Sequence, residues 1–150
     1  MAIQRDTPYS GMNFSVDLGD GQEDGTGTGL LEVGLPHAAL TVLKYRNGND
    51  RDNAIKKLQT TTQYSNLVLK RGALGALNWY AWWNAVRNGE QGIQRNITVR
   101  LLSEDHGDVV MVWKFRNARP VNYHFSPLNA LGTEALVETL ELVVERMEME

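Results

Sequence analysis

The sequence predicts a mainly β domain with one α-helix. Two observations carry the prediction and a third sets its scale. Apolar residues recur with a period of two along most of the chain, and one Trp-rich segment breaks that pattern with helical spacing. At 150 residues and 42% hydrophobic composition, the chain can bury a core as a single domain, 1–150, without covalent staples.

The first strand is read at Phe14, Val16 and Leu18, which alternate with Asn13, Ser15 and Asp17. Residues 19–29 are rich in Gly, Asp and Thr and read as a loop. Residues 40–46 read as a less regular strand. Residues 47–62 open with Asn-Gly-Asn-Asp, pass through Lys56 and Lys57, and end in three threonines; they are expected to form a long loop. Loops of that length in compact domains are usually functional or disordered. A strand follows in which Leu67 and Leu69 alternate with Asn66 and Lys70.

The helix is expected over 74–88, where Trp79, Trp82, Trp83 and Val86 fall on one face and Asn88-Gly89 supplies a stop. Its other side carries Leu74, Leu77, Ala81 and Asn84. An apolar second side fits either two partners, one of them a neighbouring subunit, or a helix sunk in its own core.

Strands resume with Ile97, Val99 and Leu101 facing inward, opposite Asn96, Thr98 and Arg100. Residues 105–108, with Gly107, read as a hairpin turn. Beyond it Val109, Met111, Trp113 and Phe115 are assigned to the core, opposite Val110, Val112, Lys114 and Arg116. Val121, Tyr123 and Phe125 then alternate with Asn122 and His124. Residues 134–148 are good helix formers, with Leu136, Leu140, Val143 and Met147 at helical spacing, although Leu140, Leu142 and Val144 also fit a strand; propensity alone favours helix.

Composition narrows the function. The formal charge of −3, with acids and bases interspersed, argues against a dedicated nucleic-acid binder. No apolar run approaches the roughly 18 residues of a membrane helix, and MAIQRDTPYSG lacks a secretory signal's apolar stretch, so folding in the cytoplasm is expected. With no cysteine, thiol nucleophiles and thiolate metal sites are excluded. Gly25, Gly27 and Gly29 lack nucleotide-loop spacing, and Asp17, Asp20, Glu23 and Asp24 lack the order of a calcium loop, so a solvated acidic turn is the reading. His37, His106 and His124 form no pair at metal-ligand spacing, and no nucleophile elbow occurs. The chain is therefore expected to have no catalytic residues, no metal site and no cofactor. The helical spacing of the tryptophans points to packing or an interface rather than a ligand platform. Arg95, Arg100, Lys114, Arg116 and Arg119 stand on strand faces and suit a solvated face, a pore lining or a subunit contact.

The order of these segments resembles the contractile phage tail-tube family, which includes the inner-tube proteins of extracellular contractile injection systems and is related to the haemolysin-coregulated tube protein of type VI secretion. The resemblance covers nearly the whole chain. It rests on YSGMNFSVDL from Tyr9, Gly29-Leu30, KYRNGND from Lys44, NLVLKRG before the helix with Trp82 and Trp83, RNITVRLLSEDHGDVVMVWKFRNARPVNY from Arg95, and EALVETLELVVERME from Glu134. Gln59-Thr60-Thr61-Thr62 departs from the Pro-Gly that relatives often carry there.

The resemblance implies a small antiparallel β barrel or sandwich with a flanking helix, and it assigns the C-terminus to a strand. It implies hexameric rings stacked into the hollow inner tube of a contractile particle. The partners would be an outer sheath, baseplate or spike and terminator proteins, and a protein or DNA payload in the lumen, with no membrane insertion. The particle would be assembled in the bacterial cytoplasm and end as a virion tail or an injection device; the alternative is a secreted or cargo-carrying ring of a type VI apparatus. Asn47, Asn49, Asp50, Arg51, Lys56 and Lys57 are the candidate inter-ring loop. Trp79, Trp82, Trp83 and Val86 are the helix packing face, and Asn96, Thr98 and Arg100 the candidate lumen face.

Overall fold

The computed structural model describes residues 2–19 and 29–150. Nine strands and one helix are described: β1 Phe14–Asp17, β2 Glu32–Gly34, β3 Ala38–Tyr45, β4 Lys56–Tyr64, β5 Leu67–Gly72, α1 Asn78–Arg87, β6 Arg95–Leu102, β7 Val109–Phe125, β8 Val137–Val143 and β9 Arg146–Met149. Every described pairing is antiparallel. One sheet runs β1-β6-β7-β8-β5-β2, with β9 also on β7, and a separate two-stranded sheet is formed by β3 and β4.

The large sheet turns on β7, whose 17 residues serve two neighbours in succession. Residues 109–118 pair with β6, and 119–125 pair with β8. Asn117, at φ 54°, makes the bend between them; the ladder skips a β7 residue there, and Asn117 N–H donates to Asn96 Oδ1 at 3.2 Å. Leu67, Leu69, Ile97, Val99, Phe115, Ala118, Leu140 and Leu142 from both parts of the sheet form one core with Trp79 and Trp82. Among the described residues the sheet does not close into a barrel: its order begins at β1 and ends at β2.

Three expectations need correction, while the C-terminal strand that the resemblance implied stands. Lys56–Tyr64 is a strand, so the long loop shrinks to residues 46–55. Its polar Thr-Gln run is suited to a ribbon exposed on both faces, and threonine favours extended backbone. The helix starts at Asn78 rather than at 74, since Gly75 sits at φ +79° in the left-handed region. The C-terminal segment is strand, as the resemblance implied and against propensity. Leu140 and Leu142 are fully buried where β8 lies between β5 and β7. Finally, the alternation along β7 is broken at two further places besides Asn117. Between Met111 and Val109 the register slips, leaving Val109 41% exposed and Val110 3% exposed. A second slip between Pro120 and Asn122 leaves Val121 exposed. One extra residue in a ladder inverts every face beyond it. The acidic Gly-rich turn with Asp20, Glu23, Asp24, Gly25 and Gly27 lies outside the described residues.

Other expectations stand. Ile97, Val99 and Leu101 are buried on β6, and the turn at 103–108 is closed by Ser103 N–H to Asp108 O at 2.9 Å. Gly89, at φ +74°, ends α1 and donates to Val86 O at 3.0 Å.

Candidate functional site: assembly surfaces

The described surface has three features that a solitary domain does not need. The first is the β3–β4 ribbon. These two strands make their main contacts with each other, and their pairing runs one rung past Ala38–Tyr64, through Ser65 N–H to His37 O at 3.0 Å. Leu40, Val42, Leu43, Tyr45, Ile55 and Leu58 are all exposed on it. Leu43 sits directly opposite Leu58, and Tyr45 opposite Lys56, so one face is apolar with a single cation; Val42, one residue from Leu43, belongs to the other face. A lone two-stranded ribbon is marginal in water, and one with apolar residues on both faces needs cover. The candidate loop residues Asn47, Asn49, Asp50 and Arg51 form its tip, held by Asn47 N–H to Asp50 Oδ2 at 3.0 Å, while Lys56 and Lys57 lie on β4. Arg46 braces the tip by donating to Asp50 O and Asp52 O at 3.1 and 3.2 Å.

The second is the open end of the sheet. Between β1 and β2 lies an apolar groove of about 310 Å³, lined by Phe14, Leu31, Val33, Leu35, Leu101 and Trp113, with Glu32 on its wall.

The third is the polar face of β6, β7 and β9. Thr98 stands opposite Lys114 and Arg100 opposite Val112, so the predicted trio Asn96, Thr98 and Arg100 shares the face away from the core. Lys114 pairs with Glu150 at 2.8 Å, and Glu148 receives Arg116 at 3.2 Å and Arg146 at 3.1 Å. The Arg116 hydrogen bond lowers the Glu148 pKa and the Lys114 hydrogen bond lowers that of Glu150, so both stay ionised.

The helix divides as one of the two readings expected. Trp79 and Trp82 are buried, and Trp83 and Val86 are half-buried beside them. Leu74, Leu77, Tyr80 and Ala81 are exposed. Trp82 Nε1 donates to Ile93 O at 2.8 Å, and the Arg95 guanidinium lies 4.5 Å from its ring.

Two clusters escaped sequence reasoning. Arg71 is fully buried and pairs with Glu138, which also accepts from the Tyr123 hydroxyl. Its signal was present, since 67, 69 and 71 share a face and the third is a charge. Burial, together with Glu138, holds the Tyr123 phenol far above its ordinary pKa. The other is an N-terminal strap. Arg5 forks onto Glu104 at 2.6 and 3.0 Å, lies 3.9 Å from the Tyr9 ring, and donates to Thr7 O and Pro8 O, both at 2.8 Å. No spacing rule links residues so far apart in sequence.

Exposed apolar residues gathered on a two-stranded ribbon are the kind of surface that a partner covers. The family model of the T4-like virus tail tube protein gp19 matches residues 10–148, and the chain belongs to that family: it is a structural tube subunit. Among solved structures it is similar to a chain of the anti-feeding prophage baseplate, solved with six-fold symmetry, at 24% identity and a TM-score of 0.82, over 97% of this chain and 97% of that one. It is similar to a chain of the PVC sheath–tube complex, an extracellular contractile injection system in the extended state, at 21% identity and a TM-score of 0.81, over 95% and 91%. Hcp1 from Flavobacterium johnsoniae shares the fold more distantly, at 15% identity and a TM-score of 0.56, over 91% and 93%. No curated protein matches the chain in sequence.

Proposed function

We propose that the chain forms hexameric rings that stack into the hollow inner tube of a contractile, phage-tail-like particle. The observation that carries this is the β3–β4 ribbon, whose apolar faces are uncovered in a single copy. Rotational closure of a head-to-tail contact gives a ring and removes free sheet edges, and a second set of contacts stacks the rings. The ribbon tip, with Asn47, Asn49, Asp50 and Arg51, is assigned to the contact between rings, and Lys56 and Lys57 to its flank. Asn96, Thr98 and Arg100 are assigned to the channel. The exposed side of α1, with Leu77 and Tyr80, then meets a neighbouring subunit.

Partners follow from the assemblies in which similar folds occur: a baseplate, a sheath–tube complex and a tube-terminating cap. An outer sheath, a baseplate or spike and a terminator are therefore the proposed protein contacts, with a protein or DNA payload inside. No described helix is long and apolar enough to cross a membrane. Assembly in the bacterial cytoplasm, ending in a tail or an injection particle, is part of the same reading, as is the absence of catalysis.

A single secreted ring is the second reading, favoured by the shared fold with a type six secretion system protein at a TM-score of 0.55. Negative-stain microscopy of the purified protein separates them. Long tubes are expected; isolated rings at every concentration would favour the second reading, and compact monomers would overturn both.

A further inference from the structure

The triplet Arg-Asn-Gly occurs twice in the chain, at 46–48 and at 87–89. An asparagine followed by glycine readily loses its side-chain amide, because no Cβ shields the next backbone nitrogen. The fold treats the two triplets differently. Asn88 and Gly89 close α1: Asn88 N–H donates to Asn84 O and Gly89 N–H to Val86 O, both at 3.0 Å, and Gly89 sits at φ +74°. The backbone requires glycine there, and the glycine nitrogen is held. Gly48 is under neither constraint. It is not in the left-handed region, a Cβ placed on it would meet nothing within 4 Å, and its N–H has no partner among the described residues. The fold of the single copy does not demand a glycine at 48.

We infer that Asn47-Gly48 is a self-modification site, converting to aspartate or isoaspartate without an enzyme in the unassembled subunit. Both residues are exposed at the ribbon tip, and the Tyr45 hydroxyl donates to Asn47 Oδ1. The Gly48 nitrogen gives its proton to solvent hydroxide and attacks Asn47 Cγ. Charge develops on Oδ1, where the Tyr45 donor already stands. The bond from Gly48 N to Cγ forms, the Cγ–Nδ2 bond breaks, and Nδ2 leaves as ammonia with a proton from water. Water then opens the five-membered imide at either carbonyl. In sum one water is consumed and one ammonia released, with no oxidant or reductant. The new carboxylate adds a negative charge beside Asp50, whose Oδ2 accepts from Asn47 N–H at 3.0 Å. Modified tips should therefore stack poorly; that consequence rests on the tube reading, and the chemistry does not.

The test holds unassembled wild-type protein at mildly alkaline pH and maps it by peptide mass. Amide-to-acid conversion is expected at Asn47 at least about fivefold faster than at Asn88, the factor that one net hydrogen bond imposes on a rate. Gly48→Ala, for which the fold has room, should slow Asn47 by at least as much. Tyr45→Phe should slow it about two- to tenfold and leave Asn88 unchanged. Asn88 converting as fast as Asn47 overturns the site. So does an unchanged Asn47 while a free peptide Tyr-Arg-Asn-Gly-Asn-Asp converts fully. A Tyr45→Phe rate equal to that of the wild type overturns the part given to the hydroxyl.

The consequence is read separately. Aged protein is induced to assemble, and tubes are separated from the remaining subunits. Modified chains should be depleted several-fold in the tubes. Equal fractions in both pools overturn the stacking consequence and leave the site in place. Wild-type protein that never assembles overturns the tube reading, and the mass measurement still decides the site.

Discussion

The guanidinium of Arg71 lies 4.0 Å from the centroid of the Trp79 ring, with both side chains buried beneath the start of α1. Arg71 also donates to Ala76 O at 3.1 Å and pairs with Glu138, which accepts from Tyr123. One cation therefore ties β5, β8, β7 and the turn before the helix together. Removing one member strands the other charge in the core, which typically costs about 3–5 kcal/mol. Arg71→Met and Glu138→Leu are each expected to lower stability by that order in urea denaturation. The double replacement should cost less than the sum of the two, because no lone charge remains. Additive losses would show that the pair is not coupled.

The tryptophans should separate by burial. Trp82 is buried and its indole N–H is bonded to Ile93 O; Trp83 is half-buried. Trp82→Ala should cost about 3–5 kcal/mol, or roughly 6–20 °C of melting temperature for a chain of this size. Trp83→Ala should cost clearly less. Equal losses in calorimetry would contradict the division of the helix into a packed and an open side.

Glu104 titrates from about 2, held down chiefly by its hydrogen bonds from Arg5. A carboxylate whose folded pKa is depressed contributes stability above its ordinary value of about 4.5, and that contribution is lost as pH falls from there towards 2. Both groups are solvent-exposed, so the effect on overall stability is screened. Arg5→Ala should move the Glu104 midpoint up towards the ordinary carboxylate range, read by carbon-13 NMR. A midpoint that stays near 2 would assign the depression to backbone N–H groups, such as that of Ser10 at 3.3 Å.

The sequence was most legible where period and burial coincide. Ile97, Val99 and Leu101 alternate over a strand with one solvent face and one core face, and all three are buried. It was least legible where a residue's partner lies far along the chain or where a strand has no core beneath it. Residues 56–62 read as loop because they have no core beneath them in the single subunit; their strand character comes from pairing with β3. The three slips in β7 fall at Val110, Asn117 and Val121, residues of ordinary type at which period-two counting fails without warning. Of the candidate sites, the helix face was readable from spacing, whereas the clamp of Arg5 on Glu104 and the charge under Trp79 required the fold.

The ribbon tip should be separable from the fold. Residues 46–55 bond mainly among themselves, through Arg46, Asn47, Asp50, Asp52 and Asn53. Replacing 47–55 with a two-residue Asn-Gly turn should leave the melting temperature within about 2 °C of wild type, since a surface change of up to roughly 0.5 kcal/mol moves it little. Tube growth, followed by light scattering, should be lost. Tubes of normal length from this variant would place ring stacking elsewhere.

The channel assignment of Thr98 and Arg100 can be tested chemically. Both face away from the core, and the ion pairs on β7 and β9 leave that face polar with its charges largely matched. A conduit should present such a face, because large apolar patches or a strong single-sign field would hold the payload. An outer wall facing a sheath could be equally polar, so composition does not decide. Thr98→Cys introduces the chain's single thiol. In tubes capped at both ends, a bulky maleimide should label it poorly, and a small one should label it slowly. The same residue in unassembled subunits should react fully with both. Rapid, complete labelling of capped tubes by the bulky reagent would put this face on the outside and move the channel to another surface. Arg100→Glu adds a second readout. Each copy changes by two charges, so tubes should still form while retention of a charged payload changes; unchanged retention, with tubes intact, would count against Arg100 lining the passage.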